Sequence, residues 1–296
     1  MRFINLSNRA GTRSGHILCK KAEKINDVQE ETGIGKSLKD CRINCAVIIP
    51  SLNPIPELPD FVQELLSMGV SEVIVVNDGS DYKYEYIFEA LKQISHCTVL
   101  THEVNRGKGR ALKTAFSFFL EHFSYMNGVV TADADGQHSV EDICNLCNIL
   151  SVKKEVLILG VRDFHENNVP KRSYIGNMLT STIFHLLYGC KLNDTQTGLR
   201  GISTKELPEM IGLKGERYDY EINMLIKART INLKLYTVPI KTLYFDNNSG
   251  SHYSTVKDSI FIFFRLILGL IERFISSITG LFVVEKSEKV QKKERV

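Results

Sequence analysis

The sequence lacks the features that mark several common protein classes. No G-x-G-x-x-G follows the first predicted strand, which argues against a dinucleotide cofactor. The seven cysteines are irregularly spaced and do not form the framework of a small disulfide-rich protein, and no secretory signal precedes them. The net charge is only +3 over 296 residues, without a long basic face, so nucleic acid is not expected as a partner. We therefore expect a protein of reducing, cytosolic surroundings.

Two isolated motifs predict packing rather than chemistry. Cys144 and Cys147 form a C-x-x-C pair, but no second pair stands at zinc spacing. The pair falls within the helical pattern EDICNLCNIL, where both side chains are expected to pack. The lone His185 lies in an apolar stretch, and we expect a core or interface residue rather than a ligand.

The pattern of the folded part predicts an α/β layer fold. Residues 1–42 are polar and predict a flexible extension. From Ile43 onwards β-branched runs alternate with helical patterns, which favours parallel strands joined by helical crossovers, with helices on both faces of a mainly parallel sheet. The predicted elements, in order, are the strand Ile43–Pro50, a helix around Phe61–Met68, the strand SEVIVVND, the helix Tyr86–Ile94, the strand TVLTHE, the helix Lys108–Phe123 and the strand NGVVTADAD.

Polar side chains follow three of these strands, in PSLNP, NDGS and DADGQH. Ligands of parallel sheets bind at the carboxyl ends of strands. At the end of the strand VVTADAD, side-chain alternation points Asp133 and Asp135 to one side, where both could face a magnesium or manganese ion that also holds a diphosphate. Gln137 could add a carbonyl oxygen, and Ser139 with Asp142 predicts a capping box behind the site. An isolated D-x-D is more often an acidic turn, but here the other two strand ends accompany it.

Eight segments resemble, in order, the family 2 glycosyltransferases with the GT-A fold, particularly the dolichyl- and polyprenyl-phosphate sugar transferases. The resemblance extends from Ile43 to Ser259, and its segments are VIIPSLNP, VIVVNDGS, NRGKGRALKTA, TADADGQHSVED, LGVRDF, VPKRSYIGN, DTQTGLRG and GERYDYEINML. It implies a metal-dependent inverting transferase that moves a hexose from a nucleotide-diphosphate sugar to an undecaprenyl or dolichyl phosphate.

The resemblance also implies the donor side of the site. The residues that would hold the donor nucleotide are Pro50, Asn53, Asn77, Asp78, Gly79, Lys108 and Asp133. Asp133, Asp135 and Gln137 would hold Mg²⁺ or Mn²⁺, which acts as a Lewis acid on the leaving nucleotide. Many relatives have Asn-Glu where this chain has Asn53-Pro54, and Asp-Asp where it has Asn77-Asp78. The identity of the donor nucleotide is therefore left open.

On the acceptor side, Arg162 and Arg172 resemble the arginines that receive the acceptor phosphate, since a guanidinium can bind phosphate through two hydrogen bonds. The alternative is a pair of solvated surface arginines. Asp194 joins Asp135 and these arginines as a catalytic candidate, as an organiser rather than a base, because a phosphate acceptor is already ionised. The residues implied for the sugar and acceptor pocket are Gln196, Thr197, Arg200, Tyr218, Glu221, Ser251 and His252. The alternative for Tyr218 and Tyr220 is core packing, and His252 stands where several relatives have lysine.

The domain boundaries follow from the extent of this resemblance and from the composition of the carboxyl-terminal part. We predict the transferase domain at 43–254, an amphipathic helical segment at 255–284 and a basic tail at 285–296. Charges at Arg265 and Glu272 interrupt the apolar segment, which favours a helix lying in the membrane interface over a spanning one. The prediction is a peripheral or monotopic protein at the cytoplasmic membrane face; packing of the segment on the domain or in a homo-oligomer is the alternative.

Two other functions stay open at the level of sequence. The first keeps the fold but uses a saccharide or protein hydroxyl as acceptor, in cell-envelope polysaccharide synthesis. The second is a non-catalytic membrane-bound module that binds a nucleotide-sugar or a partner.

Overall fold

The computed structural model describes residues 23–24, 43–162, 171–241 and 268. The predicted extension at 1–42, the amphipathic segment at 255–284 and the tail at 285–296 lie outside these residues except for Glu23, Lys24 and Leu268. The strands are β1 (Glu23–Lys24), β2 (Ile43–Ser51), β3 (Val70–Asp78), β4 (Cys97–His102), β5 (Gly128–Thr131), β6 (Val156–Arg162), β7 (Arg200–Ser203) and β8 (Lys234–Ile240).

Helices connect these strands. They are α1 (Leu58–Ser67), α2 (Glu85–Lys92), α3 (Lys108–His122), α4 (Val140–Val152), α5 (Lys171–Tyr188), α6 (Leu207–Ile211) and α7 (Asp219–Thr230). Within the described ranges, none of them is both long enough and apolar enough to cross a membrane.

The strands form one mixed sheet in the order β1-β8-β6-β7-β5-β2-β3-β4. β7 is antiparallel to both of its neighbours, β5 and β6, while the other pairings are parallel. The mainly parallel sheet predicted from the sequence is therefore confirmed. Because β7 is reversed, its first residue lies at the same sheet edge as the last residues of its neighbours.

Two apolar cores cover the two faces of the sheet. Alternate residues of β2 point to opposite sides: Ile48 joins the core beneath α3, and Ile49 joins the core beneath α1, α2 and α4. This alternation is the period of two expected of a strand. Burial on both faces explains why these strands are continuous β-branched runs.

Most predicted element boundaries agree with the structure to within three residues. The glycine expected to end the first helix does so, since Gly69 has φ 97° directly after Met68, the cap residue of α1. Ser139 caps α4: its Oγ accepts a hydrogen bond from Asp142 N at 3.1 Å and donates one to Asp142 Oδ2 at 2.7 Å.

Two expectations need correction. The strand predicted to run through Asp135 ends at Thr131, so alternation along a strand does not set the directions of Asp133 and Asp135. A turn containing Gly136 at φ 74° follows instead. His185 lies on the exposed side of α5, so the expected place in the core is wrong, and a place in an interface stays a prediction.

Candidate active site

Loops from both halves of the sheet meet at one edge. In the strand register Ser51 pairs with Asn77, and Thr131 pairs with both Ile48 and Arg200. The strand ends that precede the predicted donor loops are therefore neighbours. The segment leading into β7 reaches the same edge from the other half of the chain.

The first two loops hold each other through short polar contacts. Ser80 Oγ accepts a hydrogen bond from Asn53 N at 2.9 Å, and Asn53 Oδ1 accepts one from Asp81 N at 2.9 Å. Asn77 Oδ1 accepts from Ser80 N at 2.9 Å. Asn53 has φ 53°, a left-handed conformation that asparagine tolerates better than most residues. These contacts fix the loops after β2 and β3 as one unit.

Asp78 has both carboxylate oxygens occupied by the protein. Oδ1 accepts hydrogen bonds from Arg106 N at 3.0 Å and His102 Nδ1 at 2.7 Å, and Oδ2 accepts from Gly107 N at 2.7 Å. The residue is 4% exposed. Asp78 therefore holds the loop that leads into α3.

Asp133 and Asp135 lie half-buried in the turn after β5. Asp135 Oδ1 accepts a hydrogen bond from Gln137 N at 3.1 Å. Burial and the adjacent negative charge of Asp133 raise the pKa of Asp135 above its usual value. The two carboxylates therefore repel each other, and a cation placed between them would relieve this repulsion.

Lys108 brings a positive charge into the same turn from the start of α3. Its Nζ lies 2.6 Å from Asp133 Oδ1 and 2.8 Å from Glu221 Oε1. Burial alone would lower the pKa of Lys108, but the two carboxylates keep it above its usual value. Burial would likewise raise the pKa of Asp133, yet Lys108 and His138 hold it well below its usual range.

Asp133 also lies against the segment that precedes β7. A Cβ atom on Gly198 would come closer than 3.0 Å to both carboxylate oxygens of Asp133, so no larger residue fits without a shift. Thr131 Oγ1 donates a hydrogen bond to Gly198 O at 2.7 Å. Asp133 Oδ2 lies 3.4 Å from His138 Nε2.

Arg162 and Asp194 form a two-point ion pair. Arg162 Nε donates to Asp194 Oδ2 at 2.7 Å, and its Nη2 donates to Oδ1 at 3.1 Å. Asp194 is fully buried, and Oδ1 also accepts from Gln196 N at 3.0 Å. Both oxygens of Asp194 are thus engaged, which suits an organiser of Arg162 better than a base.

Arg200 is 1% exposed and donates to backbone carbonyls. Its Nε donates to Thr197 O at 2.9 Å, and its Nη1 donates to Glu221 O at 2.5 Å. Burial lowers the pKa of Arg200. The side chain ties the segment before β7 to α7, and this brings Glu221 towards Lys108.

The segment GERYDYE packs on the start of α3. Glu216 O accepts a hydrogen bond from Arg110 N at 3.1 Å, and Glu216 Oε1 accepts from Lys113 Nζ at 3.0 Å. Tyr218 is half-buried at the start of α7, whereas Tyr220 is fully buried and donates its hydroxyl to Met210 O at 2.7 Å. Core packing, the alternative for both tyrosines, is confirmed for Tyr220.

A cleft of about 310 Å³ opens beside Arg162 along α5. Its lining includes Asn177, His185, Lys191 and Asn193. Arg172 belongs to α5, but its side chain lies outside the described part of the chain, as do Ser251 and His252. Their predicted roles stay predictions.

Sequence reasoning did not find several residues that build the site, namely His102, His138, Asn177 and Glu216. Asn177 Oδ1, for example, accepts from Thr195 N at 3.0 Å and so anchors the segment that holds Asp194. The available signal for His138, Asn177 and Glu216 was their place inside resembling segments, whereas His102 lies outside all eight of them. Apart from Asp133, which is five residues before His138, their partners are distant in sequence, so spacing gave no indication of them.

The residues at the turn after β5 fit a hard divalent cation. Two carboxylates with an adjacent amide side chain are oxygen donors of the kind that Mg²⁺ and Mn²⁺ accept, with the remaining positions left to water and phosphate. Among the described residues, no three His, Cys, Asp or Glu side chains cluster as a self-sufficient metal cage. The C-x-x-C cysteines are buried in α4, where desolvation raises the pKa of Cys144 to about 12.

The comparisons with known proteins agree with this geometry. The model of the family "Glycosyl transferase family 2" matches residues 46–205, more than half of the chain. An uncharacterised protein of Methanocaldococcus jannaschii is 32% identical over 256 residues, which cover 85% of this chain and 98% of that protein. The chain therefore belongs to glycosyltransferase family 2 and is a glycosyltransferase.

A second relative is the UDP-N-acetylglucosamine–dolichyl-phosphate N-acetylglucosaminyltransferase of Methanococcus voltae. It is 29% identical over 239 residues, which cover 75% of this chain and 94% of the relative.

Solved structures of similar fold include two of glucosyl-3-phosphoglycerate synthase from Mycobacterium tuberculosis. The complex with phosphoglyceric acid has a TM-score of 0.58 at 19% identity and covers 81% of this chain and 84% of that chain. The complex with Mn²⁺, UDP and phosphoglyceric acid has a TM-score of 0.56 at 19% identity and covers 77% of this chain and 78% of that chain. The fold is thus the GT-A fold that the resemblance implied.

Proposed function

We propose that this glycosyltransferase moves a hexose from a nucleotide-diphosphate sugar to a polyprenyl phosphate, with inversion and with a divalent metal ion. The observation that carries the proposal is the buried Asp194, which holds the Arg162 guanidinium at the mouth of a cleft bordered by α5. A guanidinium fixed in this way can receive a phosphate without losing further side-chain entropy. The name of the Methanococcus voltae relative, a dolichyl-phosphate transferase, supports the same acceptor class.

The outer face of α5 favours a lipid acceptor. Ile175, Met178, Leu179 and Leu186 are 58%, 50%, 52% and 75% exposed. Their spacing places them along one side of the helix. An exposed apolar stripe beside a polar cleft suits a molecule with a phosphate head and a hydrocarbon chain.

On the donor side, Asp133, Asp135 and Gln137 would hold Mg²⁺ or Mn²⁺ at the diphosphate. When bound, such an ion supplies Lewis-acid stabilisation of the charge that grows on the leaving nucleotide. Lys108 lies beside Asp133 and orients that carboxylate through its ammonium. The loops carrying Asn53 and Asn77 form the adjoining wall for the nucleoside.

The acceptor phosphate needs no general base in this scheme. A phosphate monoester is ionised near neutral pH and can attack the anomeric carbon directly. Asp194 accepts bonds on both oxygens and positions Arg162 rather than removing a proton. In-line attack of this kind inverts the anomeric centre.

The location at the cytoplasmic face of a membrane is part of the proposal. A lipid acceptor requires the cleft to approach a bilayer, and the apolar stripe of α5 and the apolar segment at 259–284 both fit that requirement. A homo-oligomer stays a prediction.

The test is transfer of label from a panel of nucleotide-sugars to dolichyl or undecaprenyl phosphate in membranes bearing the protein, with Mg²⁺ or Mn²⁺. We expect one donor to label the organic phase. Asp135→Ala and Arg162→Ala should each lower transfer by about 100-fold or more, as the loss of preorganised charge does in other enzymes. Lys205→Ala is the control, because this exposed lysine pairs with Glu155 at the surface.

A second acceptor in the same assay decides between the alternatives. Label entering saccharide or protein, with none in the organic phase, would contradict the lipid acceptor and favour a hydroxyl acceptor. Binding of donor without transfer or hydrolysis would favour the non-catalytic module.

A further inference from the structure

Asp78 contacts the protein in a way that differs from the nucleoside contact implied by resemblance. Its two oxygens accept three hydrogen bonds, two of them from consecutive backbone amides, of Arg106 and Gly107. At 4% exposure the carboxylate faces the inside of the loop. One acceptor position, the second lone pair of Oδ2, is therefore left for a donor of the nucleoside.

His102 extends this contact to the second turn of α3. Its Nδ1 donates to Asp78 Oδ1 at 2.7 Å, and its Nε2 lies 3.0 Å from Thr114 Oγ1. The ring is 7% exposed and packs between the end of β4 and the helix. Asp78 and His102 therefore hold the loop before α3 from one side and the helix from the other.

Gly107, whose backbone amide donates to Asp78, directly precedes Lys108 in the chain. Gly107 has φ 99° and is the cap residue of α3, and no side-chain cap is present there. A Cβ at Gly107 would come closer than 3.0 Å to Glu216 O, so the backbone is confined on its far side as well. The start of α3, and with it the direction of Lys108, is thus set by Asp78.

We propose that Asp78 and His102 act together as a positioning pair, which fixes the amino end of α3 so that Lys108 reaches Asp133 and Glu221. Positioning, rather than binding of the nucleoside, is then the main role of Asp78. The pair acts on the reaction through Lys108, and the kinetic part of its test rests on the proposed function.

The first arm needs no substrate. Asp78→Asn replaces the carboxylate that accepts from Gly107 N with an amide, whose NH2 group can then face that backbone N–H. His102→Phe removes the imidazole donor at similar volume. Hydrogen exchange of the ligand-free protein should be faster at residues 104–110 in both variants, by about tenfold or more for loss of a buried hydrogen bond to a charged group. His102→Asn, whose amide can still donate to Asp78, should exchange more slowly than His102→Phe.

The second arm separates positioning from nucleoside binding. We expect Asp78→Asn and His102→Phe to lower kcat of transfer by a similar factor, about 10- to 100-fold as for other residues that orient a ligand-bearing carboxylate. Combining either with Lys108→Met should add little further loss, because each acts through Lys108. The dissociation constants of nucleoside monophosphates (UMP, GMP, CMP, AMP and TMP), measured by calorimetry, should stay within a factor of two of those of the parent protein.

The matched controls are Glu72→Gln and His96→Asn. These residues form the same kind of carboxylate–imidazole contact between β3 and β4, at 2.8 Å, but at the opposite end of the strands and on the surface. Neither variant should change exchange at 104–110 or transfer. Weaker nucleotide binding in Asp78→Asn with normal binding in His102→Phe would overturn the proposal, as would unchanged exchange at 104–110 in both. Absence of transfer by the parent protein would contradict the proposed function and leave the exchange arm to decide on the pair.

Discussion

Asp133 and Asp135 stand two residues apart, yet their pKa values shift in opposite directions. Lys108 and His138 hold the pKa of Asp133 below its usual range, whereas burial and the charge of Asp133 raise that of Asp135. One carboxylate is thus already neutralised by the protein. The charge of the other is poorly compensated by its surroundings in this structure.

At the scale of this residue, Asp135→Asn should stabilise the protein in the absence of divalent ions. An acid whose pKa is raised in the folded state stabilises the fold only when protonated, so its ionised form costs free energy at neutral pH. We expect a higher melting temperature for Asp135→Asn in EDTA near neutral pH, and a difference that shrinks as the pH is lowered towards the acid range. Added Mn²⁺ should raise the melting temperature of the parent protein and not that of the variant.

The control for this measurement is Glu57→Gln, which neutralises an exposed carboxylate at the start of α1. It should leave the melting temperature and its response to Mn²⁺ unchanged. A lower melting temperature for Asp135→Asn in EDTA would show that the ionised carboxylate is stabilising and contradict the repulsion inferred here.

At the scale of elements, the segment before β7 is fitted closely to the turn after β5. Gly198→Ala should disturb that fit, because its new Cβ would meet the carboxylate of Asp133. Forced shifts of this kind cost about 1 to 3 kcal/mol of unfolding free energy. Since the shift falls on Asp133, transfer activity should fall by at least about tenfold, more than the loss of stability alone would produce at a temperature where the variant is folded.

Gly212→Ala is the matched control, because the nearest atoms to its added Cβ lie at 3.8 Å. Urea unfolding and transfer rates of the two variants give the comparison. Equal activity in the two variants would contradict a tight contact between Gly198 and Asp133.

The sequence was sufficient to predict the order and type of the elements from β2 to β5, because buried strands and amphipathic helices differ in period. It was not sufficient to predict where β5 ends. The apolar run continues to Ala132, but the antiparallel partner β7 offers only four residues, and Thr131 Oγ1 donates its hydrogen bond to Gly198 O. That limit is set by a segment about 70 residues away.

At the scale of the whole molecule, the parts of the site that follow from local sequence could be predicted, whereas contacts between distant segments could not. The alternation of strands and helices predicted that three polar loops share one sheet edge, and they do. Glu216 and Arg110, which pair, are 106 positions apart in the sequence. Arg162 and Asp194, which also pair, are 32 positions apart, one before α5 in the sequence and the other after it. Such partners follow from the packing of the two halves, which local spacing does not record.

For the molecule as a whole, we expect stability that is independent of reductant and of zinc chelators. The described cysteines are free, and Cys144 and Cys147 are buried in α4, where burial raises the pKa of each thiol. Thiols in this state ionise poorly and neither react nor bind metal readily. Melting curves with and without dithiothreitol or a zinc chelator should coincide, and a fall in melting temperature with either reagent would contradict the packing role of the pair.

The reversed strand has a further consequence during synthesis of the chain. β7 fills the space between β5 and β6, and it leaves the ribosome after both of them. Until then, one edge of β5 has no partner, and β6 lacks both of its neighbours because β8 follows later still. Open edges invite pairing between molecules. β5 is only four residues long, Gly128 to Thr131, so the edge that waits for β7 is short. The brevity that made the sequence-based boundary wrong therefore limits pairing at the β5 edge, whereas the seven-residue β6 depends on the later arrival of β7 and β8.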